Sequence, residues 1–581
     1  MSADANVAAP PDAPPPHNGR RFVRLALEYW NNDDNRWWVR GAVLLLVTLT
    51  VAQVALAIWI SYWNRDLFDA LEDRLLDVLA RLVLIFLLIF ILTMAVTALH
   101  LHVKRWLQLD WRRWMTGLLL DQWLARSNHY RLQLIGGEHD NPDGRIAEDV
   151  KIATEVSIAL GHSLLFSVLI LGSFIDILSS VSGSATLPGT DISVPGYMVP
   201  VAFLYAGVGA LCGMMLGRPL VRATNRLQTV EANLRFGLAQ VREHAEAVAL
   251  LHGGQCERRR ANRLFGDVGV GWNRQTLAYL GIVSFSTGYG TLLPVFPILI
   301  AAPQYIAGAM SLGFLMQAAQ AFQRLTSALS WPIDNLGEIA RCRASVDRIM
   351  SFRDDMRQLE RADREKGHGE RRIELHRSQR AELEIRHLFL DSATGQPLLQ
   401  NFNLTVRHGE RVLITGDPAA TLALFKAVAG LWSWGHGEVL LPHGREIVFA
   451  PQYPYLHAGP LREVLAYPYV GAQYEESVLR WALECAGIGW LQSRLDDAED
   501  WARVLPQRVQ QRLGLARLFL QRPQWVFIEE AADAFEAHDF SATLDLLRRE
   551  LPSATLLNIS RHSERPADFY SRHLTLDPPR S

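Results

Sequence analysis

The sequence predicts an α-helical membrane domain followed by an α/β domain. Long runs without a charged residue, each able to cross a bilayer, occupy much of the first half of the chain. From residue 381 onward, short apolar β runs alternate with helical patterns, as in an α/β domain. A charged run over residues 351–380 separates the two regions and is typical of a solvated linker.

Composition sets the outer limits of the interpretation. The chain has 581 residues, too many for one ordinary core, and 49% of them are hydrophobic. Its formal net charge is −2, so it lacks the excess of positive charge that is typical of nucleic-acid-binding proteins, and no nucleic-acid partner is expected. Residues 1–20 are predicted to form a disordered tail without the features of a signal peptide. The cysteines lack the spacing of a zinc site or a disulfide framework, so no metal site is expected.

Six runs within the first domain, predicted over residues 21–350, are expected to span a membrane. Arginine and lysine concentrate before the first run, after the second and after the fourth, which puts both termini on the cytoplasmic side. Charged amphipathic stretches adjoin three runs and predict helices that extend beyond the membrane. The six runs are residues 41–63, 82–99, 156–175, 195–217, 277–301 and 312–331, and the extensions are residues 104–126, 218–251 and 256–274.

Polar side chains inside two runs are candidates for a transport pathway. Gln317, Gln320 and Gln323 recur every third residue, which places them near one face of a helix. Such a stripe faces a water-filled cavity or binds a neighbouring helix, and the sequence leaves both alternatives open. Asp176, at the end of the third run, is either an interfacial residue or a proton-relay group.

The α/β domain, predicted over residues 381–581, contains a strand–turn–helix pattern around Gly416. An apolar β run precedes this glycine and a helical pattern over residues 422–431 follows it, which is the context of a phosphate-binding loop. The loop chemistry does not fit phosphate. Asp417 is negatively charged, Pro418 has no N–H to donate, and Lys426 falls well inside the helix.

Three stretches of the membrane half, residues 62–71, 140–149 and 241–250, match the pattern of a known family. They resemble the SbmA/BacA family of peptide transporters and its YddA/BclA-type and D-subfamily relatives, which carry a fused ATPase domain. The resemblance implies a six-span domain like that of ABC exporters, in a bacterial inner membrane. It also implies a dimer, either of identical chains or of two different ones, that takes up peptides or other small amphipathic substrates. The members without an ATPase domain imply coupling to protons.

The second half resembles the nucleotide-binding domain of ABC transporters, an α/β fold of the P-loop NTPase type. The order of the motifs matches, but Pro506 and Arg508 stand where the family's signature has serine and glycine. The resemblance assigns Glu530 as the general base and His562 as the H-loop histidine. The other nucleotide-binding positions that the resemblance implies are Gly416, Thr421 at the Walker A lysine position, Gln452, Arg508, Gln510 and Glu529.

Three functions remain open from the sequence. The leading one is a transporter that does not run on ATP hydrolysis; the others are an ATP-driven transporter with a divergent site and a regulatory or scaffold subunit. The resemblance implies ATP and Mg²⁺ as cofactors, but the lysine and several loop N–H donors are missing. Because charge-assisted phosphate contacts contribute about 1.5–3 kcal/mol each, hydrolysis is expected to be absent or weak.

Overall fold

The computed structural model describes residues 18–31, 36–135, 141–186, 193–365, 372–378, 380–442, 447–469, 473–529, 537–559 and 569–576. The chain forms two compact units. The first, here called the helical unit, comprises residues 1–124 and 137–355. The second, here called the α/β unit, comprises residues 125–136 and 356–581.

Long helices build the helical unit, and a short π-helical segment, Arg145–Asp149, leads into one of them. A two-stranded antiparallel ribbon joins the sixth helix to the seventh. In chain order the elements up to residue 365 are α1 (Asn18–Trp30), α2 (Arg36–Glu72), α3 (Leu76–Leu124), α4 (Asn128–Ile135), α5 (Pro142–Gly144), α6 (Val150–Val181), β1 (Ser184–Thr186), β2 (Ser193–Pro195), α7 (Met198–Glu243), α8 (Ala245–Leu250), α9 (Gly254–Ile306), α10 (Leu312–Asp334) and α11 (Leu336–Glu365).

Five helical stretches of the described chain are long and apolar enough to cross a membrane, where the sequence predicted six. Helix α10, which contains the predicted sixth run, is absent from this set because three glutamines and Arg324 lower its hydropathy. It packs against α2, α6, α7 and α9. The five are Arg36–Glu72, Leu76–Leu134, Pro142–Val181, Met198–Glu243 and Gly254–Ile306.

Helix α10 supplies much of the core of the helical unit. Phe322 and Leu325 are fully buried on it, and they join Phe174 of α6 and Met198 of α7 in one apolar cluster. Small residues such as Ala318 lie between the larger ones, which lets neighbouring backbones approach closely. The position of α10 is therefore determined by tight packing on several sides.

The segment predicted as a charged linker, residues 351–380, is partly ordered. Helix α11 continues to Glu365, and strand β3 spans Ile373–Arg377. Phe352, Met356 and Leu359 are buried, and their spacing of four and three residues places them on one helix face. The sequence analysis missed this face because charged side chains surround it. The predicted domain boundaries at residues 350 and 380 stay a prediction.

Two sheets form the core of the α/β unit. One has five parallel strands in the order β13-β6-β12-β11-β8, and the other has four strands in the order β3-β7-β4-β5. The elements after β3 are β4 (Glu382–Asp391), β5 (Pro397–Arg407), β6 (Arg411–Gly416), α12 (Pro418–Val428), β7 (Gly435–Leu441), β8 (Ile447–Ala450), β9 (Gly459–Pro460), α13 (Leu461–Ala466), α14 (Glu476–Cys485), β10 (Ala498–Glu499), α15 (Trp501–Val504), α16 (Gln507–Gln521), β11 (Trp525–Glu529), α17 (Ala537–Glu550), β12 (Thr555–Ile559) and β13 (Arg572–Leu576).

Candidate functional site

The predicted phosphate loop is a junction of one residue. Strand β6 ends at Gly416 and helix α12 begins at Pro418, so Asp417 alone connects them. The Asp417 carboxylate accepts a hydrogen bond from the Ala420 N–H, with Oδ2 and N 2.9 Å apart. This is an N-cap, and it puts a negative charge at the positive end of the helix dipole. The N-terminal end of α12 is thus capped by a carboxylate of the chain itself.

Gly416 is required by the packing of the sheet. Its φ is +130°, and β13 runs beside it in parallel register, with Leu576 opposite. A β-carbon at this position would overlap the carbonyl oxygen of Leu576. The next residue, Asp417, donates its N–H to the same carbonyl at 3.1 Å. The glycine therefore has a structural explanation that involves no nucleotide.

Thr421, assigned to the Walker A lysine position, is 3% exposed and bonds within its own helix turn. Its hydroxyl donates to the carbonyls of Asp417 and Pro418, at 3.0 and 3.1 Å. Lys426 lies one turn further along α12, where its ammonium nitrogen is 5.8 Å from the centre of the Tyr130 ring on α4. Both side chains therefore contact groups of the α/β unit itself, and the assignment of Thr421 to the lysine position stays a prediction.

The signature positions lie at the start of α16. Gln510 donates from its amide nitrogen to the carbonyls of Ala502 and Leu505, both at 2.8 Å. It thereby closes the loop before the helix, with Pro506 as N-cap residue. Arg508 is exposed in the first turn of α16. The amide of Gln510 is thus engaged within its own chain.

Gln452 lines a groove of about 740 Å³ within the α/β unit. Three tyrosines, Tyr455, Tyr467 and Tyr469, share this groove with Arg517. Burial lowers the pKa of Arg517 to about 10, and its guanidinium donates to the Val464 carbonyl at 2.9 and 2.6 Å. The groove was not predicted, because the tyrosines of residues 455–469 meet Arg517 of α16 only in the folded chain.

Parallel strands bring two of the predicted positions to the same edge of the sheet. Gly416 ends β6 and Glu529 ends β11, and β12 runs between these strands in parallel with both. Glu529 is half-buried at this edge. The predicted general base Glu530 and the H-loop His562 lie outside the described residues, so their assignment stays a prediction.

In the helical unit, the glutamine stripe of α10 points into the protein. Gln317 is fully buried, and neither polar atom of its amide has a hydrogen-bond partner among the described residues. The side-chain oxygen of Gln320 is likewise buried and unpaired there, while Gln323 is half-buried. Asp176 is exposed on α6, whereas the three glutamines are buried or half-buried.

A cavity of about 300 Å³, with mostly apolar walls, lies among α2, α3, α6 and α10. Its polar lining is Gln53, Thr93, Thr97, His162 and Arg324. Sequence reasoning missed this site, although Arg324 is the only charged residue in the predicted run 312–331. An ionisable residue inside an apolar run is the signal that would have found it.

His162 also lies against a second histidine. Its ring centroid is 4.1 Å from that of His100 on α3. The Nε2 atoms of both rings are buried and have no hydrogen-bond partner among the residues that the structure describes. Buried polar atoms normally find partners, so this part of the helical unit has unused hydrogen-bonding capacity.

The chain combines a unit with several membrane-length helices and an α/β unit, and this combination is found among membrane transport proteins. Residues 35–289 match the family model described as ABC transporter transmembrane region 2. This match and the relatives described next support an ABC transporter with membrane-spanning helices.

Three relatives cover most of this chain. The inner membrane ABC transporter ATP-binding protein YddA of Escherichia coli K12 is 28% identical over 546 residues, which is 93% of this chain and 94% of the relative. The chloroplastic ABC transporter D family member 2 of Arabidopsis thaliana is 26% identical over 631 residues, or 96% and 86% of the two chains. The human lysosomal cobalamin transporter ABCD4 is 24% identical over 527 residues, or 84% of each. The chain is thus similar to ABC transporters that include D-family members, and the Escherichia coli relative is named an inner membrane protein.

Proposed function

We propose that this chain is one subunit of a dimeric transporter whose α/β unit does not drive transport by ATP hydrolysis. The Asp417 cap carries the proposal, because a bound phosphate would have to displace a carboxylate from the helix end. The side chains of Thr421 and Gln510 are hydrogen-bonded within the chain, which also supports the proposal. The proposed orientation has both termini in the cytoplasm.

The substrate proposed for this transporter is a peptide or a similar small amphipathic molecule, taken up with protons. The resemblance of residues 62–71, 140–149 and 241–250 to the SbmA/BacA family supports this class. An ATP-driven transporter is the second candidate, and the ATP-binding name of the Escherichia coli relative favours it. The two candidates differ in a property that can be measured directly, which is the affinity for Mg-ATP.

Calorimetric titration of Mg-ATP into the purified protein is expected to show no binding at millimolar nucleotide. The physical reason is the loss of the lysine and the loop N–H donors, each worth about 1.5–3 kcal/mol as charge-assisted contacts. The Escherichia coli relative, purified in the same detergent, serves as the positive control. Micromolar binding by this chain, with phosphate release that Glu530→Gln abolishes, would establish the ATP-driven alternative instead.

Uptake into proteoliposomes is expected to depend on a proton gradient and not on ATP. A fluorescent peptide should accumulate when the lumen is made alkaline relative to the outside, and a protonophore should stop it. Adding or depleting Mg-ATP should leave the rate unchanged within about twofold, since less than 0.5 kcal/mol of barrier would then depend on nucleotide. A rate that follows ATP and ignores the protonophore contradicts the proposal. Empty liposomes set the background.

A further inference from the structure

The cavity among α2, α3, α6 and α10 offers hydrogen-bond donors and no negative charge. Its lining contains one guanidinium, one imidazole, one amide and two hydroxyls, and no lining residue is acidic. The rest of the lining is apolar. A pocket with several donors, one fixed positive charge and apolar walls suits an anionic group carried on an apolar body.

Arg324 supplies the fixed charge. It stands on α10, directly after the glutamine stripe, and Gln320 lies one helical turn before it. No ion pair joins Arg324 to a carboxylate within the part of the chain that the structure describes. Charged residues within membrane-spanning bundles are rare, face cavities, and are normally paired. The side chain of Arg324 is exposed, so its guanidinium is accessible to an anionic group of a ligand that enters the cavity.

The other donors surround the same space on three further helices. Gln53 comes from α2, Thr97 comes from α3, and His162 comes from α6. Thr93 of α3 also lines the cavity, but its hydroxyl already donates to the Ile89 carbonyl at 2.7 Å. The buried Nε2 atom of His162 has no hydrogen-bond partner among the described residues. This is an independent sign of unused hydrogen-bonding capacity at the cavity. A guanidinium binds carboxylates through two parallel N–H bonds, a geometry that an ammonium does not offer.

We propose that this cavity binds the carboxylate of the transported substrate, with Arg324 as the anchoring residue. The inference rests on the proposed transport of peptides, whose free C-terminus is such a carboxylate. It goes further by naming the chemical group recognised and the helices that recognise it. The glutamine stripe then leads from the core of α10 to the binding residue.

A matched pair of probes tests the proposal. An N-acetylated apolar hexapeptide is prepared with a free C-terminal acid and as the C-terminal amide, so that only the carboxylate differs. In nanodiscs of zwitterionic lipid, the wild-type protein should bind the acid at least tenfold more tightly, about 1.4 kcal/mol. Arg324→Gln should bind both probes alike, and Arg324→Lys should keep part of the preference.

Arg263→Gln is the control variant, because Arg263 is an exposed arginine of α9 that does not line the cavity. It should keep the full preference for the acid. Equal binding of the two probes to the wild-type protein, including no binding of either, overturns the site. A preference that disappears in nanodiscs of anionic lipid also overturns it, since a lipid phosphate would then be the ligand.

The two proposals fail in different ways. If proteoliposomes take up the acid and the amide at equal rates, the result supports the transport proposal and contradicts the carboxylate site. If neither probe is taken up under a proton gradient, the transport proposal falls, while the binding comparison still decides the site. Unchanged thermal unfolding of Arg324→Gln confirms that lost binding does not come from lost structure.

Discussion

Replacing Gly416 by alanine is expected to destabilise the α/β unit by about 3 kcal/mol. Two causes add. The backbone has φ +130°, which a residue with a β-carbon rarely adopts, and the added carbon would overlap the Leu576 carbonyl oxygen. Because this oxygen belongs to the backbone of β13, it can move only if the sheet edge moves with it.

Hydrogen exchange of the full-length protein measures this effect. The Asp417 N–H donates to the Leu576 carbonyl, so its protection reports whether β13 stays beside β6. Gly395→Ala is the matched control, since Gly395 also has a positive φ, +80°, but no atom lies within 4 Å of its added carbon. It should cost about 1 kcal/mol. Equal effects of the two substitutions would mean that β13 does not constrain Gly416.

The strand–helix junction shows what the sequence could establish in the α/β unit. The pattern of an apolar run, a glycine and a helix predicted a strand and a helix here, and the structure has β6 and α12. The interpretation of Asp417 and Pro418 as a departure from a phosphate cradle stays a prediction. The sequence did not show that Asp417 caps the helix. It also could not show why Gly416 is a glycine, because β13 follows 156 residues later, at Arg572.

Helix α10 shows the corresponding limit in the helical unit. The sequence identified a polar stripe at Gln317, Gln320 and Gln323, but it counted the helix as a sixth apolar span. Hydropathy is an average over a window of residues. The structure instead distinguishes the faces of α10: one is buried against other helices, and Arg324 on another lines the cavity. Which helices line the cavity depends on tertiary packing, and no local pattern encodes it.

The same lesson applies to residues 351–365. Their charge suggested a solvated linker, yet Phe352, Met356 and Leu359 form a buried face on α11. A helix needs only one apolar position per turn to bury a face, and charged neighbours hide that signal in a composition count. Helix α11 is also where the second large effect is expected.

Substitution of Asp149 by alanine is expected to destabilise the helical unit by about 2–3 kcal/mol. The Asp149 side chain is only 6% exposed. It accepts two hydrogen bonds from Arg348 of α11, one of them at 2.8 Å from Nε, and a third from Arg145 at 3.3 Å. Removing the carboxylate leaves both guanidiniums without a counter-ion. Partial exposure of Arg348 limits the loss, because water can solvate its guanidinium.

A double-mutant cycle separates the ion pair from the packing. Asp149→Leu combined with Arg348→Met should recover part of the stability that Asp149→Leu loses, because the Arg348 charge is then removed together with its partner and only Arg145 is left without one. Glu338→Ala is the control on the same helix, since Glu338 and its partner Arg341 are both more than half exposed and 3.8 Å apart. It should cost about 0.5 kcal/mol or less.

Thermal unfolding in detergent, followed by circular dichroism, reads out each variant. The expected order of stability is wild type and Glu338→Ala together, then the double variant, then Asp149→Ala. An Asp149→Ala protein as stable as Glu338→Ala would show that the segment Arg145–Asp149 does not hold α6 to α11 through this ion pair. A double variant no better than Asp149→Leu would assign the loss to packing around Asp149, since the charge of Arg348 would then play no part.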